Sequence, residues 1–252
     1  MRRFFIDQID QKQLCGTTTT LTGQDARHLK DVLRLDPGDE VCLIDGKGHE
    51  YMAHVTDMQA GAITLTILEE LTGTAEPPIQ ITMAQAFLKD KKMDVLIRQL
   101  TELGLYRWLP FQASRSVPRP DKKRLAARME RWEKIAQESL KQCNRSRLPE
   151  ISECLSFSDV LAKAQSSDLK IMFWEKSKEP LCFDPELKKS IQSIFIILGP
   201  EGGFTDKEAE AAIGNGFITA SLGPRILKAE TASLSACTLI QYLFGDMGKN
   251  NS

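Results

Sequence analysis

Glu201 is the only side chain with a polar group in the turn Gly199-Pro-Glu-Gly-Gly203. Gly199, Gly202 and Gly203 permit backbone angles closed to other residues and let a ligand approach the main chain closely. No Gly-Lys-Ser/Thr follows, so this is not a phosphate loop, and the spacing is not that of a dinucleotide fingerprint. An ordinary tight turn would use the same glycines. The functional alternative is a loop whose backbone N–H and C=O groups hold a small ligand, with Glu201 handling a proton or orienting that ligand. A second candidate runs over residues 220–233. There Leu222-Gly223-Pro224 ends a strand, residues 225–229 connect, and a helix starts near Glu230. An acid suits a helix first turn. Thr231, Ala232, Ser233, Ser235 and Ala236 make that helix start small-sided.

A third stretch is basic. Residues 115–147 hold eleven Lys or Arg against four Asp or Glu. Arg124, Arg128, Arg131 and Lys134 fall near one face of a long helix, and Gln142-Cys-Asn-Arg-Ser-Arg147 follows it. A charged stripe is usually a solvated face. This local excess is more than solubility needs and suits a phosphate backbone. The whole chain carries a net charge of −1, so only such clustering points to nucleic acid. His28, His49 and His54 lack metal-ligand spacing, and the six cysteines include no C-x-x-C pair, which speaks against a zinc site or a disulfide framework. Scattered reduced cysteines, no signal-peptide pattern at the N-terminus and no apolar run of ~20 residues lead to the expectation of a cytoplasmic protein without metal or membrane span.

The elements that must position these residues fall into two blocks. Residues 1–72 are expected to be β-rich, with strands at 41–44, 51–55 and 63–68, a helix over 24–35 and turns at 36–39 and 45–48. That pattern suggests a small barrel. Residues 71–78 read as a linker. From there to residue 252 strands alternate with helices: strands at 79–86, 106–111, 169–174, 194–198 and 217–222, helices from Met93, Leu125 and Glu230, and a capping box at Thr205 and Glu208. Gly104 sits where a helix C-cap glycine belongs. Such alternation implies an α/β domain with a mostly parallel sheet. A continuous apolar strand at 194–198 places the glycine turn beyond its carboxyl end, the usual ligand position of an open sheet.

Leu198-Gly-Pro-Glu-Gly-Gly-Phe204, Leu222-Gly-Pro-Arg-Ile-Leu-Lys-Ala-Glu-Thr-Ala232, Thr101-Glu-Leu-Gly104 and Gln142-Cys-Asn-Arg145 with Pro149 resemble the RsmE family. His28-Leu-Lys-Asp-Val-Leu-Arg34, with Gly38-Asp39 and Asp45-Gly46, is similar to its N-terminal domain. The family's members methylate N3 of one uridine in 16S ribosomal RNA, with S-adenosyl-L-methionine as cofactor. The resemblance implies a PUA-like RNA-binding β-barrel over 1–72 and a SPOUT methyltransferase domain with a trefoil knot over 73–252. It implies a homodimer, and 16S ribosomal RNA or the small ribosomal subunit as partner. By position, the cofactor would be held by Leu198, Gly199, Glu201, Gly202 and Gly203 on one loop and by Leu222, Gly223, Ile226, Leu227 and Thr231 on the other.

Two departures stand out: Lys228-Ala229 replaces the family's usual Arg-Thr, and Arg98-Gln99-Leu100 replaces Gln-Lys-Ala before the Thr-Glu-Leu-Gly motif. Lysine keeps the charge but loses the guanidinium fork. The expected chemistry is an SN2-like methyl transfer. The sulfonium is already a good leaving group, so the enzyme must align the partners and help N3 lose its proton. Arg145, at the end of the basic helix, is the first candidate for a cation near the uracil carbonyls. Arg2, Arg3, His28 and Arg34 would grip RNA from the barrel, and Arg115, Arg124, Arg128, Arg145, Arg147 and Lys228 from the second block. The alternative is a non-catalytic RNA-binding assembly factor of the same fold, and S-adenosylmethionine binding discriminates the two.

Overall fold

The computed structural model describes residues 2–6, 15–72, 75–89, 91–179, 181, 183 and 190–248. Cys182, and residues 73–74 at the sequence-based boundary, lie outside the described residues. The chain forms two compact units, Met1–Glu76 with Leu140–Leu148, and Pro77–Ser139 with Pro149–Ser252.

In the first unit, β1 (Arg3–Phe5), β2 (Thr18–Thr22), β3 (Glu40–Ile44), β4 (Glu50–Gln59) and β5 (Ala62–Leu71) make one sheet in the order β1-β3-β4-β5-β2. β1 runs parallel to β3, and the other pairs are antiparallel. Alternation along the β4–β5 hairpin buries Tyr51, Ala53 and Val55 with Ile63, Leu65 and Ile67, and Phe4 and Leu29 complete this core. The single helix expected over 24–35 divides into α1 (Gly23–Arg27) and a π-helical turn (His28–Leu33). The wider turn keeps both Leu29 and Leu33 on the core and ends at Arg34, with φ 53°.

The unit is completed from far along the chain. Leu140 is buried with Cys42 and Ile44. The Glu76 carboxylate receives the Arg145 guanidinium (Nη2 at 2.9 Å) and the backbone N–H groups of Ser146 and Arg147, each at 2.9 Å. Arg147 also bridges to Gly46 and Lys47. No local sequence pattern announces a residue that returns 69 positions after its partner carboxylate.

The second unit holds a parallel sheet ordered β12-β10-β11-β6-β7-β8: β12 (Ile218–Ala220), β10 (Leu169–Phe173), β11 (Ser193–Leu198), β6 (Gln80–Ala86), β7 (Arg107–Gln112) and β8 (Glu150–Ile151), with β9 (Leu155–Ser156) also on β7. α2 (Lys92–Glu102) joins β6 to β7, α3 (Lys122–Gln142) follows β7, and α4 (Phe157–Lys163) follows β9. α5 (Asp206–Gly214) joins β11 to β12, and α6 (Ala229–Phe244) comes last. β11 is central, and Ile194 to Leu198 are all buried, as its unbroken apolar run requires. The expected strand at 217–222 is shorter, because the chain leaves the sheet after Ala220. α2 stops at Gly104, whose φ is +84° and whose missing Cβ would lie 2.4 Å from Pro77 and 2.5 Å from the Gln241 amide. That amide donates to the Leu103 carbonyl at 2.9 Å and so ties α6 to the end of α2.

Candidate cofactor site

Two loops leave the carboxyl ends of parallel strands and face one cavity of about 1140 Å³ in the second unit. The first is the glycine turn 199–204 after β11, and the second is 221–228 after β12. Residues after β10, among them Trp174 and Glu175, line it as well, together with Lys92 and Glu230.

The glycine turn is held from several sides. The expected capping box is present: the Glu208 N–H reaches Thr205 Oγ1 at 3.2 Å, and the Thr205 N–H reaches the Glu208 carboxylate at 2.8 Å. Glu208 also accepts the Ser114 N–H at 2.9 Å. Burial pushes the Glu208 carboxyl up, but the N–H groups of Ser114 and Thr205 outweigh it and leave it below the usual carboxylate range. Arg115 Nη1 donates to the carbonyls of Gly202 (3.0 Å) and Phe204 (3.2 Å). Gly203 has φ +65°, and a Cβ there would sit 2.6 Å from Glu175 Oε1. Beneath the turn, the fully buried Gln85 amide donates to Ala86 O (3.0 Å) and toward Gly199 O (3.4 Å), while Ser233 Oγ donates to Gln85 Oε1 at 2.6 Å.

Glu201 Oε1 accepts the Lys89 N–H at 3.0 Å and the Lys92 ammonium at 3.1 Å. Burial acts to raise its pKa, and these donors reverse the effect, so the carboxyl titrates below its ordinary value. Lys92 also pairs with Glu230 Oε2 at 3.3 Å.

Nine of the residues expected to hold a cofactor line this cavity: Leu198, Gly199, Glu201, Gly202, Gly203, Leu222, Gly223, Ile226 and Leu227. Thr231 is exposed in the first turn of α6 and is not among the lining residues. Arg145 falls in the first unit with its side chain 3% exposed and bound to Glu76. Arg3 is similarly internal, donating to Glu50 at 2.6 Å and to the Arg145 carbonyl at 3.2 Å. Arg2, His28, Arg34, Arg124 and Lys228 are exposed, and Arg128 and Arg147 are half-buried. Lys92, Gln85, Trp174 and Glu175 are absent from the sequence-based site. A Gln within an apolar strand was the available signal for Gln85, since a buried amide needs partners. Lys92 looks like any surface lysine of an amphipathic helix.

The cavity fits a molecule with both polar and apolar parts. Gly203 forms a cradle that a Cβ would fill, and Trp174 Nε1 is a buried donor without a hydrogen-bond partner among the described residues. Among the described residues, no group of three His, Cys, Asp or Glu side chains could hold a metal ion, and no helix is long and apolar enough to cross a membrane.

Comparison with known proteins gives the class first: residues 75–241 match an RNA methyltransferase domain and residues 21–68 an RNA methyltransferase PUA domain. The chain is 33% identical over 248 residues to the ribosomal RNA small subunit methyltransferase E of Bacillus subtilis, covering 96% of each chain. It is 34% identical over 235 residues to that of Synechocystis, covering 92% of this chain and 75% of the relative. A crystal structure of the Neisseria gonorrhoeae ribosomal RNA small subunit methyltransferase E bound to S-adenosyl methionine superposes with a TM-score of 0.87 at 30% identity, covering 98% and 99% of the two chains. The chain belongs to the ribosomal RNA small subunit methyltransferase E family.

Proposed function

We propose that this protein transfers a methyl group from S-adenosylmethionine to N3 of one uridine in 16S ribosomal RNA, free or in the small ribosomal subunit. The observation that carries the reading is the pair of loops at 199–204 and 221–228 facing one cavity beyond parallel strands, in a chain of this family. The relative from Neisseria gonorrhoeae, solved with that cofactor bound, supports it. When bound, S-adenosylmethionine supplies an activated methyl group. Leu198, the glycine turn, Leu222, Gly223, Ile226 and Leu227 hold it, with Thr231 at the start of α6 as a further contact. Glu201 orients rather than shuttles a proton, because its donors favour the carboxylate. Arg225 and Lys228, exposed on the second loop, are two cations lining the cavity that could favour a deprotonated uracil. The Glu76 pairing favours a positioning role for Arg145. Breaking a buried ion pair costs roughly 3–5 kcal/mol, more than a contact with a neutral carbonyl returns.

The first unit, PUA-like and with a boundary near residue 72, serves to grip RNA through Arg2, His28, Arg34 and Arg147. Arg3 supports the 144–147 turn from within. Arg115, Arg124 and Arg128 add to the basic track. The knotted path of the SPOUT class is part of the proposal, as are a cytoplasmic location and a homodimer. Exposed Val95, Leu239 and Tyr242, on the mutually packed α2 and α6, support the dimer.

Methylated uridines are to be mapped in ribosomal RNA from cells with and without the gene. One uridine that loses its N3 methyl group is the expected result. Calorimetry with S-adenosylmethionine separates the alternative, since absence of binding would favour a non-catalytic assembly factor. Arg34→Ala should lower RNA affinity evenly across sequences and flatten its salt dependence by about one phosphate contact.

A further inference from the structure

Lys92 is the first residue of α2, where a cation opposes the helix dipole. Its ammonium lies 3.1 Å from Glu201 on the glycine turn and 3.3 Å from Glu230 in the first turn of α6. One carboxylate belongs to the glycine turn and the other to the helix that follows the second loop, and they share this one ammonium. The walls are otherwise anchored differently. Glu201 also has the Lys89 N–H, so the glycine turn keeps a link to the end of β6 without Lys92. The side chains of Glu230 and Ser233 are the described polar ties from the start of α6, and Ser233 reaches Gln85 one turn further along. Between Leu222 and Lys228 the described hydrogen bonds made before the helix are local, from Gly223 to the Ser221 hydroxyl and back.

We propose that Lys92 is a positioning residue, a clamp that sets the separation of the two cavity walls by bridging Glu201 and Glu230. The inference rests on the cofactor reading for its consequence, but not for its geometry. Without the ammonium, two neighbouring like charges repel and drive the two wall segments apart. Lysine suits the place better than a residue touching one wall alone, because its ammonium donates a hydrogen bond to Glu201 while its charge pairs with Glu230.

The test compares the full-length wild type with Lys92→Met, Lys92→Arg and the triple variant Lys92→Met/Glu201→Gln/Glu230→Gln. Amide exchange without ligand and calorimetry with S-adenosylmethionine are the two readouts. Lys92→Met should speed exchange over 221–230 about five- to tenfold, the range expected for two half-exposed ion pairs, while β11 stays protected. Cofactor affinity should fall by a similar factor. Lys92→Arg should stay near the wild type. The triple variant should recover most of the lost protection against exchange, since amides do not repel, and a merely structural role for the lysine stem would show no such rescue. Exchange unchanged in Lys92→Met would overturn the clamp, and so would a triple variant no better than the single. If the exchange pattern holds while the wild type binds no S-adenosylmethionine, the clamp stands and the cofactor reading falls.

Discussion

The two walls of the cavity are built in contrasting ways. The glycine turn is tied down by Arg115, Gln85, Lys89, Lys92 and the Thr205–Glu208 box, and Leu198 and Phe204 at its ends are buried. The facing segment bonds mainly to itself, with Ile226 84% exposed and Pro224, Arg225 and Lys228 open to solvent. One wall is held by many hydrogen bonds, and the other by few, chiefly the Lys92–Glu230 pair and Ser233 at the start of α6. For a cofactor whose reactive carbon must be placed to a fraction of an ångström, a rigid wall fixes position at little entropic cost on binding. An adjustable wall lets ligand enter and leave, and binding then orders it.

Substitutions that damage the rigid wall should therefore cost most. Gly203→Val asks a β-branched residue to adopt φ +65° with its Cβ against Glu175. Roughly 1–3 kcal/mol of stability should be lost, and S-adenosylmethionine binding should disappear from calorimetry. Retained binding would show that the turn is not preorganised. Arg115→Ala removes the donor to Gly202 and Phe204. Charge-assisted hydrogen bonds contribute about 1.5–3 kcal/mol, so cofactor affinity should fall about tenfold or more. Loss of RNA affinity alone would return Arg115 to the RNA-binding track.

Acid should act on the same wall. The Glu201 and Glu208 carboxyls titrate below their unfolded value of 4.5, so their contribution is fully present above that pH and is lost as pH falls through the folded values. The stability gap between wild type and Glu208→Gln, measured by urea unfolding, should be constant from pH 7 to about 5 and close below 4.5. A gap that widens in acid would mean the sign is wrong. The smallest effect belongs to the open wall. Ile226→Ala should change stability by no more than about 0.5 kcal/mol. It should still weaken the cofactor a few-fold, because ordering the wall on the ligand covers this side chain, and an unchanged affinity would mean the wall stays open.

The sequence by itself determined the parallel α/β unit, the strand that ends in the glycine turn, the capping box and most residues of both loops. Those are local facts: an apolar run, glycines where no side chain fits, an acid three residues after a threonine. Tertiary structure decided what those residues do. It paired Arg145 with Glu76, because a guanidinium that loses water needs a carboxylate, and the one it finds is 69 positions away in the chain. It bonded the exposed Arg115 to two carbonyls, divided the first helix at a π-helical turn, and set Lys92 between two acids. Glu201, unexplained within its own loop, takes its meaning from Lys89 and Lys92, more than a hundred residues earlier. A charge's partner is chosen by folding at long range, and no spacing rule along the chain encodes that choice.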